Sequence, residues 1–327
     1  MTVNSSRPSV LELCAGAGGQ ALGLERAGFH HAGLIENDGY ACKTLRLNRP
    51  DWDVIEHDLF LPLDIKKFVG VDLIAGGLPC PPFSIAGKQL GEQDERNLFN
   101  VGLNYVEALR PNAVMFENVK GMLEKSFATY REWIDARLGK LGYVPRWKLL
   151  NASDYGVAQL RPRVILVALR RTYSEGFVWP DRSAPSMTVG RTLVDLMAAK
   201  GWRDATTWSH GANRIAPTLV GGSKKHGGPD LGPVRSRRAW ADLGVNGAGV
   251  GNDAPDVDFV GMPKLTVRMA ARLQGFPDEW AFTGGKTAQY RQVGNAFPPP
   301  VASAVGEQIA LALGCGRAIS SAVVALA

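Results

Sequence analysis

Up to about residue 170 the chain alternates short apolar runs with longer amphipathic stretches, and this rhythm confines it to a parallel sheet covered by helices. The apolar runs read Val10 to Cys14, Ala32 to Glu36, Val54 to Ile55, Val71 to Ala75, Ala113 to Glu117, Arg146 to Leu150 and Val164 to Leu169. Helical periods lie between them near 20–27, 39–48, 97–110 and 127–141. No helix-length segment separates the last two strands, so they are expected to pair antiparallel at one edge. The fold class is therefore α/β, a doubly wound, mostly parallel seven-stranded sheet of Rossmann-like type. A chain of 327 residues exceeds the roughly 250 at which single cores stop growing, so a second, smaller lobe is expected.

Beyond residue 171 the rhythm fails. From Gly211 to Gly251 there are ten glycines, several prolines and no sustained period, which predicts a loop-rich lobe. Within it Arg214, Lys224, Lys225, Arg235, Arg237 and Arg238 stand against Asp230 and Asp242, a local balance of +4 out of the chain's net +6. Basic charge concentrated in one irregular segment suits a polyanion, although a solvated basic face reads the same way. Helices are predicted from Val267 to Gln274 and from Pro299 to Leu313. No apolar run approaches the roughly 20 residues of a membrane span, and the opening residues lack an export signal. The four cysteines, at 14, 42, 80 and 315, form no CxxC pair, so neither a disulfide framework nor a metal site is expected and a reducing cytoplasm fits best.

The first strand runs into Glu12-Leu13-Cys14-Ala15-Gly16-Ala17-Gly18-Gly19, where small residues let backbone N–H groups and a helix N-terminus approach a ligand. Glu36 ends the second strand, placed to accept from ribose hydroxyls, and Asp58 follows the third, placed to accept from an adenine amino group. The turn lacks the three-glycine spacing that a pyrophosphate needs. Glu12 beside it repels a diphosphate and favours a sulfonium or amino group, which tilts the choice from NAD toward S-adenosyl-L-methionine.

Strand four runs into Gly76-Gly77-Leu78-Pro79-Cys80-Pro81-Pro82-Phe83-Ser84. Cys80 thus falls at the carboxyl edge of the sheet, where open α/β folds place ligands, and a nearby cation would activate its thiol. Glu117-Asn118-Val119 ends strand five and Gln159-Leu160-Arg161-Pro162-Arg163 leads into strand seven. A thiol, a carboxyl group and a guanidinium in one cleft suit a planar heterocycle that must be activated before it reacts.

With these residues in view, the chain resembles the DNA (cytosine-5) methyltransferase family. The resemblance rests on seven motifs in the family's order: ELCAGAGG (12–19), GGLPCPPFS (76–84), RNLF (96–99), ENV (117–119), QLRPR (159–163), RLQGFPDEW (272–280) and QVGNAFPPPV (292–301). Cys14 stands where the family usually has Phe, Pro81 where Gln is common, and Asn37 where an aromatic often stacks on the cofactor. The resemblance implies that Cys80 adds to carbon 6 of a flipped-out cytosine, that Glu117 hydrogen-bonds its N3, and that Arg163 holds the 2-oxo group. Arg161 is grouped with this catalytic set, in the role of bracing the loop. The implied cofactor contacts are Cys14, Ala15, Gly16, Gly18, Gly19, Glu36, Asn37, Asp58, Leu59, Leu98, Asn295 and Ala296.

By the same resemblance residues 1–175 and 285–327 form the catalytic domain and 176–284 the target-recognition lobe. Ser84, Lys88 and Gln89 belong to a loop that closes over the base. Arg214, Thr218, Lys224, Lys225, Arg235, Arg237 and Arg238 are the candidate contacts to double-stranded DNA. The compact bacterial or phage type, a cytoplasmic monomer associated with the nucleoid and paired with a restriction endonuclease of the same specificity, fits best. The alternatives are transfer to tRNA and a catalytically silent DNA-binding homologue. The tRNA branch of the family carries a Cys-Phe-Thr element in the variable lobe, whereas this chain has no cysteine between 80 and 315.

Overall fold

The computed structural model of the chain describes residues 7–79, 97–181, 185, 187–222, 228 and 230–315. Among these, seven strands form one sheet: β1 Ser9–Leu13, β2 His30–Glu36, β3 Val54–Glu56, β4 Leu73–Gly76, β5 Ala113–Val119, β6 Tyr143–Asn151 and β7 Pro162–Arg170. Their order is β3-β2-β1-β4-β5-β7-β6. Strands β1 to β5 pair parallel. Strand β7 enters antiparallel between β5 and β6, the edge arrangement that the missing crossover helix predicts. The strand order reverses at β1 and β4, and a crevice opens there outside the carboxyl ends of the strands.

Alternation along each strand sends side chains to opposite faces. Leu11, Leu13, Ile74, Val114, Phe116 and Leu166 pack on one side beneath helices α3 (Leu98–Leu109) and α4 (Ala128–Lys140). Val10, Leu73, Ala75, Met115, Ile165 and Val167 pack on the other, under α1 (Gly19–Arg26) and the C-terminal helix Pro299–Ala312. Helix α2, Gly39–Asn48, flanks β3. It is N-capped by Asp38, whose side chain accepts from the amides of Tyr40 and Ala41 at 2.9 and 3.2 Å, a stop-and-start signal of the usual kind.

After the short helix α5 (Arg171–Ser174) the irregular lobe contains helices α6 (Val189–Ala198), α7 (Ala205–Gly211) and α8 (Val234–Ala241), none of which the failed rhythm announces. Trp202, Trp208 and Trp240 centre its core, which continues without a break into Leu273, Phe276, Tyr290 and Val293 and on to Ala21 and Leu22 of α1. Helices α9 (Val267–Leu273), α10 (Lys286–Asn295) and α11 (Pro299–Ala312) return the chain to the sheet. The predicted helices at 267–274 and 299–313 thus form; α10 is additional.

Candidate active site

The crevice holds a cavity of about 330 Å³ bordered by the turn after β1, the ends of β2 and β5, and the C-terminus of α10. Its wall begins with an unusual backbone. Cys14 (φ 53°), Gly16 (φ 54°) and Gly18 (φ 87°) are all left-handed, a repeated reversal that turns the chain tightly into α1. A Cβ at Gly19 would stand 2.2 Å from the carbonyl oxygen of Phe297, so only glycine lets the start of α1 reach the end of α10. Burial pushes the Cys14 thiol far up, with Glu36 and Asp58 acting in the same direction. It is an inert wall residue.

Glu36 is tied into this turn. Its carboxylate accepts from the amides of Gly16 at 2.7 Å, Asn37 at 2.9 Å and Asp38 at 2.8 Å, which locks the end of β2 to the β1 turn. Asp58 accepts from the Phe60 amide at 3.0 Å. Of the cofactor residues expected from the sequence, Cys14, Ala15, Gly16, Gly19, Glu36, Asn37, Asp58, Leu59, Leu98, Asn295 and Ala296 border the cavity. Gly18 instead forms the N-cap of α1, with Leu45 and Trp280 against it. Asn295 donates to the Gly222 carbonyl at 3.1 Å, which joins the cavity rim to the lobe.

The cavity also recruits side chains outside the expected cofactor set. Arg291 reaches Asp38 at 3.6 Å, and both border the space. Gln20 and Glu12 line it too, almost wholly buried. Glu12 Oε2 lies 3.6 Å from Nε2 of His31, a buried residue of β2, and among the described residues the Gln20 amide nitrogen has no hydrogen-bond partner. Sequence reasoning found Glu12 from its place beside the glycine turn; Gln20, one residue past the motif, carries no such mark.

At the β5 end, Glu117 borders the same cavity and pairs with Arg163 of β7, Oε1 to Nε, at 2.7 Å. Burial raises the Glu117 carboxyl above its usual range, against the opposing pull of Arg163 and Arg161. Asn118 donates to the Leu78 carbonyl at 2.8 Å, which fixes the segment leading to Pro79. Arg161 is fully buried and donates to the carbonyls of Leu219 and Gly294, each at 2.9 Å. It does not border the cavity; it clamps the entry to the lobe against α10. Gln159 works beside it, accepting from the Leu219 amide at 2.8 Å and donating to Gln274 at 2.7 Å.

Cys80, Ser84, Lys88, Gln89, Lys224 and Lys225 lie outside the described residues. Of the remaining DNA-contact candidates, Arg235 and Arg238 are exposed on α8 and Arg237 is half-buried. Arg214 donates to the Asp242 carbonyl, and Thr218 donates to the Leu160 carbonyl.

The architecture has counterparts among solved structures. A DNA modification methyltransferase encoded within an Escherichia coli prophage superposes with a TM-score of 0.65 at 22% identity, over 94% of this chain and 99% of that one. A Spodoptera frugiperda DNMT2 variant gives 0.62 at 18% identity over 94% and 99%. This defines a Rossmann-like α/β fold, with the glycine-walled cavity at its strand ends. The model of the C-5 cytosine-specific DNA methylase family matches residues 9–311. Type II methyltransferase M.NaeI of Lentzea aerocolonigenes is 54% identical over 95% of this chain and 78% of its own length. M.NgoMIV of Neisseria gonorrhoeae is 54% identical over 93% and 97%. The chain belongs to the C-5 cytosine-specific DNA methylase family and is a DNA cytosine-5-methyltransferase that uses a methyl donor. Among its described residues no helix is long and apolar enough to cross a membrane.

Proposed function

We propose that the chain methylates carbon 5 of cytosine within one double-stranded DNA sequence, with S-adenosyl-L-methionine as donor, and that it is the self-protecting partner of a restriction endonuclease. The observation that carries this reading is the Glu117–Arg163 pair at 2.7 Å, set on the cavity that the Cys14–Gly19 turn encloses. The buried polar side chains of Glu12 and Gln20 on the cavity wall fit a ligand with both cationic and anionic ends. Gly16, Gly19, Glu36, Asp58, Leu98 and Asn295 would hold the donor, which supplies a methyl group on a sulfonium.

The chain's own residues then act on the base. The target must be swung out of the duplex, at a cost of a few kcal/mol. The Cys80 thiolate adds to carbon 6, which makes carbon 5 nucleophilic. Glu117, whose carboxyl burial raises above its usual range, hydrogen-bonds N3, and Arg163 stabilises charge on the 2-oxo group. Carbon 5 takes the methyl group, loses its proton to a base, and Cys80 departs by β-elimination.

Residues 176–284 are the target-recognition lobe in this reading, with Arg235 and Arg238 exposed toward the polyanion. Arg214, Thr218, Lys224, Lys225 and Arg237 act with them, and Ser84, Lys88 and Gln89 belong to the closing loop. The protein works as a cytoplasmic monomer on the nucleoid. A duplex carrying 5-fluorocytosine tests the chemistry, because the fluorine blocks the final elimination. Mass spectrometry is expected to find DNA joined to Cys80 only when donor is present, and Cys80→Ser is expected to abolish the adduct. Absence of an adduct in a random-sequence library would overturn the mechanism, and preferential methylation of tRNA in competition would overturn the substrate.

A further inference from the structure

The basic residues of the irregular lobe differ in what already holds them. Arg214 donates to the Asp242 carbonyl and Thr218 to the Leu160 carbonyl, so both are engaged within the protein. Arg235, Arg237 and Arg238 of α8 make no side-chain hydrogen bond or ion pair among the described residues. Three uncompensated cations on one short helix suit a polyanion. The helix also stands close to the crevice. A Cβ at Gly232, two residues before it, would lie 3.7 Å from Val220, and Val220 follows Leu219, whose carbonyl accepts from Arg161 at 2.9 Å.

Within α8 the three arginines are not equivalent. Trp240 turns into the core, and Arg235 and Arg238 are exposed. Val234, Arg237, Arg238 and Ala241 recur at the spacing of one helical face, and with Gly247 and Met262 they line a shallow groove of about 290 Å³. Arg237 is the half-buried arginine of that face. Its stem lies against buried Gly247, where a Cβ would meet Arg237 Cα and Cγ at 3.2 Å. A side chain at 247 would push the stem away. Val234 and Met262, 56% and 49% exposed, give the groove apolar walls.

These surroundings decide between two kinds of contact. A phosphate stays hydrated on the outside of a duplex and is met by any cation that can follow it, whereas a base edge is told from its rivals by donors fixed in place. Arg235 and Arg238, long and exposed, suit the first. Arg237 suits the second, because its stem is held before a ligand arrives, its fork of N–H donors is unspent, and apolar walls disfavour a hydrated phosphate. Two parallel donors match O6 and N7 on the major-groove edge of guanine. We propose that Arg237 reads a guanine of the target sequence and that Arg235 and Arg238 hold phosphates beside it. This rests on double-stranded DNA being the substrate.

Methylation of a random-sequence duplex library, with 5-methylcytosine mapped by sequencing, gives the target consensus of the unaltered protein and of each variant. Arg237→Met keeps the stem and removes the fork. It is expected to relax one guanine position, lowering discrimination there about tenfold, and to leave the other positions as they were. Arg235→Gln and Arg238→Gln should keep the whole consensus and weaken target and non-target duplexes by the same factor. Each should also reduce the slope of log Kd against log salt by about one. A full consensus retained by Arg237→Met, or one relaxed by Arg235→Gln or Arg238→Gln instead, would overturn the assignment. Should a variant misfold, the unaltered protein serves: 7-deazaguanine, which lacks the N7 acceptor, placed at each target guanine in turn should weaken binding about tenfold at one position, and no loss at any position would overturn it. If the unaltered protein methylates no duplex, the substrate reading falls and the assignment with it; a defined consensus that Arg237→Met leaves intact fails the assignment alone.

Discussion

Arg163 Nε stands 2.7 Å from Glu117 Oε1, and with side chains 14% and 13% exposed the two form a nearly dry ion pair where β7 crosses the end of β5. Burial nevertheless wins over this guanidinium and raises the Glu117 carboxyl. A carboxyl group higher in the folded than in the unfolded state binds more protons when folded, so its contribution to stability is full below the unfolded value and is lost as pH rises through the folded one. The stability of the protein relative to its Glu117→Gln variant is therefore expected to be greatest in acid and to decline toward neutrality. Urea midpoints measured for both across that range check this; a difference that grows with pH would mean that Arg163 outweighs burial.

Replacing the other partner has a different signature. Arg163→Ala leaves a buried carboxylate short of its nearest cation, which costs about 2–4 kcal/mol for a nearly buried pair. It also removes the donor proposed for the 2-oxo group, worth about 10²-fold or more in kcat. Arg163→Lys should recover most of the stability and little of the rate, because a single ammonium cannot serve the carboxylate and the base as a planar fork does. Chemical denaturation and single-turnover methylation, run in parallel, separate the two effects.

How much of this could be read from the chain alone follows from the range of the interactions. The sheet was legible because each strand carries its own apolar run, and the antiparallel edge because a crossover helix was missing between 150 and 164. Helix α6 was legible in principle: Thr188 caps it and Val189, Leu193 and Met197 recur at four-residue spacing, all buried. Its signal is only ten residues long and stands alone, with no neighbouring apolar run to continue the rhythm of the first 170 residues. Helix α8 buries Trp240 alone, so it has no period to find. In the site, Glu36 and Asp58 follow strands and could be placed by register. His31 could not, because a register shift between Val10 and Leu11 pairs Val10 with His31 and Leu11 with Gly33. The skipped residue brings His31 to the same face as Glu12, and a strict period of two would separate them.

The two glycines of the cavity wall should respond differently to alanine. At Gly19 the added methyl meets the Phe297 carbonyl oxygen at 2.2 Å, so α1 must separate from the end of α10; Gly19→Ala is expected to cost about 2–3 kcal/mol. At Gly16 nothing lies within 4 Å, and the cost is the left-handed backbone alone, about 1–2 kcal/mol. Melting temperatures rank the two, and a Gly16→Ala protein less stable than Gly19→Ala would contradict this packing.

Asn118 offers a test of how the β5 end governs the neighbouring segment. Its amide donates to the Leu78 carbonyl at 2.8 Å, two residues before the proposed nucleophile. Asn118→Ala leaves that buried carbonyl without this donor, at about 1–3 kcal/mol. The loss in kcat should be larger than for an equally destabilising core substitution such as Val167→Ala. Equal losses at matched stability would show that the bond serves folding only.

Thiol reactivity gives the last expectation, and it bears on which cysteine performs the chemistry. Burial pushes Cys42 up to about 12, with Glu36 adding to the effect, and raises Cys14 further still. Half-buried Cys315 is raised by the same cause. The thiolate is the reactive form, so iodoacetamide at neutral pH should leave Cys14 and Cys42 unmodified in the folded protein and label both in guanidinium. Peptide mass spectrometry after brief exposure reads the outcome. If labelling at Cys80 alone tracks the loss of methyl transfer while 14 and 42 stay intact, the nucleophile is assigned by exclusion of its buried competitors. Fast native-state labelling at Cys42 would show instead that the wall between β2 and α2 is open to solvent.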